Sequence, residues 1–120
     1  MDQNEIDALV DDIRDGVICS LDTYGWQKGA YGSDGQGYCL IGAVRKATGS
    51  DPQLERVFQE SARQTAADLF PGSPGGSVEN FNDFQHTSEE DARLLVKHSF
   101  EKMKDLLNNI INGEPAADGA

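Results

Sequence analysis

The sequence predicts an all-α fold: one compact four-helix domain over residues 1–113, with a glycine- and aromatic-rich loop between the first two helices and a flexible acidic tail at 114–120. Three observations carry this expectation. Apolar residues recur at helical spacing in four stretches, bounded by capping residues on one side and by glycine or proline on the other. Glycines and aromatics crowd together between residues 25 and 38, where no helical period survives. A chain of 120 residues with 38% hydrophobic and 26% charged content suits a single core and no second module.

Asp2 followed by Glu5 has the spacing of a capping box, with an acid replacing the usual hydroxyl. Ile6, Leu9, Val10, Ile13, Val17 and Leu21 then share one face, which predicts a first helix over 3–23. Gly16 beside this stripe and Ser20 on it let a neighbouring helix approach, and Gly25 is placed to stop the helix in a left-handed conformation. In the loop that follows, Ser33-Asp34-Gly35 is a turn signal between two short aromatic-bearing segments, enough for a small irregular hairpin if it packs on helices. The run from Cys39 to Ala47 reads as a short, buried second helix, closed by Arg45, Lys46 and Gly49. Its small residues Gly42 and Ala43 admit another backbone, and it is expected to be the central helix on which the other three pack.

Asp51 as N-cap and Pro52 at the first helical position open a third helix, with Leu54, Val57, Phe58, Ala62, Ala66 and Leu69 as its apolar stripe. Phe70-Pro71 ends it, because a residue before proline is pushed out of α geometry. PGSPGGS at 71–77 reads as a flexible connector, and 78–84 as a short aromatic segment docked in extended form. Thr87 with Glu90 has capping-box spacing and starts a fourth helix, which runs to about Asn112 and stops at Gly113.

The charge excludes some functions. With 21 acids against 10 bases the chain carries −11, a field that repels phosphate and disfavours direct binding to nucleic acid or to an anionic membrane. It suits a basic protein partner, and it also serves solubility alone. Asp2, Glu5, Asp7, Asp11, Asp12, Asp15 and Asp22 face only Arg14 before residue 25, so the first helix has an acidic face. No transmembrane-length apolar run is present, and the two cysteines and the absence of leader features point to a reduced, cytoplasmic location. A homo-oligomer is compatible with the same composition.

The residues that invite a chemical reading lie in the two irregular segments. Cys39 at a helix start would feel the positive end of the dipole, His86 with Asp83 or Asn82 would supply a base and its orienter, and Gln36 an oxyanion donor. Those are the parts of a papain-like cysteine hydrolase, but the chain lacks strands for the sheet on which that fold places its base. A small buried cysteine at a core entry is the simpler reading of Cys39. Cys19, Cys39, His86 and His98 show no metal-ligand spacing, and the glycines of 32–37 match no nucleotide-binding loop, so neither metal nor cofactor is expected. Asn82 and Asp83 have two readings, a backbone-bonded turn or a ligand-facing pair. Trp26 and Tyr31, with Tyr24 and Tyr38 near them in sequence, would make a peptide-docking surface if exposed.

Three blocks in order, Trp26-x-x-Gly29-Ala30, Cys39-Leu40-x-Gly42-Ala43 and Phe81-Asn82-Asp83 before a Thr87-capped helix, resemble a family of small actinobacterial and phage proteins catalogued as a domain of unknown function. The resemblance runs from the first helix to the middle of the fourth. Family members usually carry a longer segment before the cysteine, and a tryptophan where this chain has Phe81. The resemblance implies a shared fold and a phage or actinobacterial setting, and it lends no mechanism. The functional expectation is a small acidic interaction protein that binds a host protein. The alternative is a small-molecule or cysteine-hydrolase-like site around Cys39, Asn82 and Asp83.

Overall fold

The structure is a computed structural model that describes residues 1–29, 31–33, 35–72, 77–84 and 87–113. The expected tail at 114–120 and His86 lie outside the described residues. Among the described residues the chain forms α1 (Gln3–Tyr24), β1 (Gly32–Ser33), β2 (Gly37–Tyr38), α2 (Leu40–Thr48), α3 (Pro52–Leu69), α4 (Val78–Asp83) and α5 (Glu89–Asn112). No helix among them is long and apolar enough to cross a membrane.

The long helices follow their sequence patterns closely. The Asp2–Glu5 capping box is present at the start of α1, whose buried stripe is Ile6, Val10, Ile13, Val17, Ser20 and Leu21. Asp51 caps α3 by accepting from the amides of Gln53 and Leu54. α1 and α5 run antiparallel, held at two levels by ion pairs from Lys104 to Asp11 (2.9 Å) and from Arg93 to Asp22 (2.7 Å). α3 and α5 pack most extensively on one another, with the Phe58 and Phe100 rings 4.8 Å apart between them.

The fold departs from expectation at four places. The segment expected to dock in extended form is the helix α4, so the described chain has five helices rather than four. Ser77 caps it by accepting from the Asn80 amide, and six residues are too few for a hydrophobic period to show. The box that opens α5 is Ser88 with Asp91, not Thr87 with Glu90, because the Thr87 hydroxyl is taken by the Phe81 carbonyl at 2.8 Å. Gly25 ends α1 with φ 93° but ψ 164°, so the chain leaves in an extended direction instead of the left-handed turn. Finally, α2 packs on α1, α3 and α4, whereas α5 rests on α1 and α3. The central helix is therefore shared among three neighbours and is not the platform for every other helix.

The hairpin is real and small. β1 and β2 pair antiparallel, Gly32 opposite Tyr38 and Ser33 opposite Gly37, and Trp26 bridges Tyr38 from the other side. Hydrogen bonds from Tyr38 N to Gly25 O (2.8 Å) and from Gln27 N to Tyr38 O (3.0 Å) lay the Trp26 segment along β2. The loop lies against the start of α2 so closely that a Cβ on Gly42 would fall 1.8 Å from the Tyr31 carbonyl oxygen. Gly16 does the same for α1 and α2 more gently, since its Cβ would meet that of Ala47 at 3.2 Å.

These two glycines should respond differently to alanine. Gly42→Ala must displace backbone and is expected to cost about 3 kcal/mol or more, at the upper end for overpacked sites. Gly16→Ala needs only a slight give and gains helix propensity, so it should stay within about 1 kcal/mol of wild type. Urea unfolding of both variants checks the contrast.

Candidate functional site

The two irregular segments meet at α4. Asn82 is fully buried and uses every hydrogen-bonding position it has. Its Oδ1 accepts from the Trp26 indole N–H at 2.7 Å and from the Leu40 amide at 3.0 Å. Its Nδ2 donates to the Gln27 carbonyl at 2.9 Å and to Asp83 Oδ1 at 3.0 Å. One side chain thus joins the Trp26 loop, the first turn of α2 and α4. The half-buried Trp26 is the donor in one of these bonds.

Asp83 turns the other way. Its Oδ1 also accepts from the Gly29 amide at 2.8 Å, and the side chain lines a half-open cleft of about 250 Å³ together with Gly29, Tyr31, Cys39 and Glu79. Glu79 precedes Asp83 by four residues, so the two carboxylates share one face of α4. Its oxygens accept from Gln59 Nε2 (3.0 Å) and from the Tyr31 hydroxyl (3.3 Å). Tyr31 is exposed, and the Arg45 guanidinium lies 4.1 Å over its ring, held in turn by Glu55 at 2.6 and 3.2 Å. Lys28 donates to the Phe84 carbonyl at 2.6 Å on the rim.

Cys39 is the N-cap of α2, 3% exposed, and its Sγ accepts from the Gly42 amide at 3.3 Å. A helix start should lower a thiol pKa, yet here the direction is upward. Burial outweighs the bonds from the Gly42 and Ile41 amides, and the Asp83 and Glu79 charges push the same way as burial. The thiol therefore keeps its proton at neutral pH. Its cleft neighbours Asp83 and Tyr31 are legible in the sequence as candidates and Gly29 as part of the Trp26-x-x-Gly29 block, whereas Glu79 is not. The signal for Glu79 is its four-residue spacing to Asp83, visible only once 78–83 is read as helix.

The other expected residues stand apart. Gln36 is exposed in the hairpin turn, its amide on the Ser33 carbonyl, and His98 is exposed beside a second groove between α3 and α5. Tyr24 and Tyr38 pack edge to face, with the Lys46 ammonium 4.4 Å and 5.2 Å from their ring centres. Cys19 is exposed on α1. Among the described residues no three His, Cys, Asp or Glu side chains are grouped to hold a metal ion.

Two measurements check this geometry. Asn82→Ala strands the half-buried Trp26 indole and the buried Leu40 amide and is expected to cost about 3 kcal/mol or more, whereas Trp26→Phe should lose less hydrogen-bond energy because Asn82 keeps Leu40. A thiol reagent near pH 7.5 should label Cys19 quickly and Cys39 only on unfolding. Because folding raises the Cys39 pKa, its share of stability is complete below the ordinary thiol value of about 8.5 and is lost as pH rises through the folded-state value.

Comparison with known proteins gives one match. No curated protein and no solved structure matches the chain. Residues 6–98, from the buried stripe of α1 through the cleft to the first half of α5, match a family described as a family of unknown function, DUF6197. With more than half of the chain inside that match, the protein belongs to the DUF6197 family.

Proposed function

We propose that the protein is a non-catalytic interaction protein whose acidic surface engages a basic protein partner. The observation that carries this reading is the distribution of charge. The bases near α1 are already committed inside the molecule: Arg14 to Asp11 and Asp15, Lys104 to Asp11 and Glu101, Arg93 to Asp22 and Glu89. The surplus of a −11 chain is left on the outside, with Asp12 and Asp15 exposed on α1 and Asp7 half-buried beside them. Such a field steers a basic partner and weakens with salt.

Catalysis is the poorer reading of the same molecule. A hydrolytic nucleophile at Cys39 would need an activated thiol, and this one is buried with its pKa raised. Asn82, with four hydrogen bonds made, has none left for a substrate. The small-molecule alternative keeps one specific observation in its favour, the cleft that brings Cys39 and Asp83 together. The resemblance to small actinobacterial and phage proteins makes a cytoplasmic host protein the class of partner to seek.

An affinity pull-down from an actinobacterial lysate at low and at moderate salt tests the reading. A partner that is retained at low salt, weakened by salt, and lost with the Asp7→Asn, Asp12→Asn, Asp15→Asn triple variant supports it. Recovery of no partner at either salt, or recovery that the triple variant leaves untouched, contradicts it. Light scattering that shows a stable homo-oligomer formed through α1 would contradict it in favour of self-association.

A further inference from the structure

We propose that the cleft lined by Gly29, Tyr31, Cys39, Glu79 and Asp83 binds an organic cation bearing N–H donors, a guanidinium or primary ammonium group. The site is distinct from the acidic side of α1, and only its peptide-bound form rests on the reading of a basic partner.

The first ground is how its two carboxylates are held. Among the described residues, Asp2, Asp51 and Asp91 cap helices and Asp12 lies on the open surface, while Asp11, Asp15, Asp22, Glu55, Glu60, Asp68, Glu89 and Glu101 lie in ion pairs. Glu79 and Asp83 do not, among the described residues. Glu79 is fixed by the Gln59 amide and the Tyr31 hydroxyl, Asp83 by the Gly29 amide and the Asn82 amide, and all four donors are neutral. The carboxylates are therefore oriented while their charge stays uncompensated. Orientation of that kind is prepaid order for a cationic guest.

The second ground is that the protein's own nearby cations are directed elsewhere. Arg45 is bound through two nitrogens by Glu55, and Lys28 is spent on the Phe84 carbonyl. The amides that open α2, which would favour an anion, are occupied as well: Leu40 N by Asn82 and Gly42 N by Cys39 Sγ. What the cleft presents is carboxylate, phenol and a neutral thiol. Its walls come from α4, the Trp26 loop and the cap of α2, so it is a concavity built by the fold and not a run of acids on one surface.

The third ground is size. About 250 Å³ lies below the range of roughly 300–1,000 Å³ that takes drug-sized ligands. One guanidinium or ammonium head on a short alkyl stem fits that scale. The exposed Tyr31 ring, already stacked by Arg45, shows that this wall tolerates a guanidinium.

Amide NMR titration of the intact protein tests the proposal. The probes are N-ethylguanidinium and butane-1,4-diamine as free small cations, acetyl-Gly-Arg-Gly-amide as a peptide side chain, and tetramethylammonium as a cation without N–H, all at constant ionic strength. The expected result is saturable shifts at Gly29, Tyr31 and Asp83 with a Kd of order millimolar for an N–H probe and none for tetramethylammonium. Glu79→Gln should weaken binding at least tenfold, and so should the isosteric Asp83→Asn, which decides the matter if Glu79→Gln loses dispersion of its spectrum. Asp12→Asn should leave Kd unchanged, which separates this site from the α1 surface. Binding by the small cations alone assigns a free guanidinium or ammonium compound as ligand, and binding by the peptide alone assigns an arginine side chain. No saturable shift with any N–H probe, equal binding of tetramethylammonium, or an unchanged Kd in the folded Glu79 and Asp83 variants overturns the proposal.

Discussion

Asn82 has no exposed surface and sits where the Trp26 loop, the first turn of α2 and α4 meet, so each of its four polar positions must find a partner inside the protein. An unpaired buried amide group costs on the order of 1–3 kcal/mol. The structure meets that requirement by bringing the Trp26 indole, the Leu40 amide and the Gln27 carbonyl to one side chain. The loop between α1 and α2 is too short of regular pairing to hold itself, with two-residue strands and one bridge. Its placement depends on α4 presenting Asn82 at this point.

The same constraint decides what remains for binding. With the first amides of α2 taken by Asn82 and by Cys39, the end of that helix is electrostatically quiet, and the cysteine acts as a cap instead of a nucleophile. Asp83, the next residue along α4, is turned outward by helical geometry and fastens Gly29. The cleft between them exists because the Tyr31 carbonyl can lie on Gly42, where any side chain would collide. A rigid joint and a small acidic concavity are thus two faces of one packing solution.

Much of this was legible in the sequence, and the limits have physical causes. The stripes of α1, α3 and α5 repeat over several turns, and the caps at Asp2 and Asp51 and the stops at Gly49 and Gly113 act on neighbours in sequence. α4 was hidden because a single turn and a half has no measurable period, and its Ser77 cap lies at the end of a glycine-rich run. Thr87 was assigned the cap that Ser88 holds because its diversion to Phe81 O is tertiary, six residues back in the chain. Asn82 and Asp83 could be picked out as a pair, but which would be buried and which would face the cleft depends on contacts 42 to 56 residues away. Glu79 went unnoticed for the same reason as its helix.

The central claim is that Asn82 locks the Trp26 loop to α2 and α4 as part of the cooperative core. Native-state hydrogen exchange tests it most directly, because the single indole N–H and the Leu40 amide are both donors to Asn82 and can be followed individually. If the lock holds, both protons exchange only with global unfolding, at the rate of core amides such as that of Phe100 on α5. Exchange of the indole proton at the rate of an exposed loop, while α5 stays protected, would contradict it.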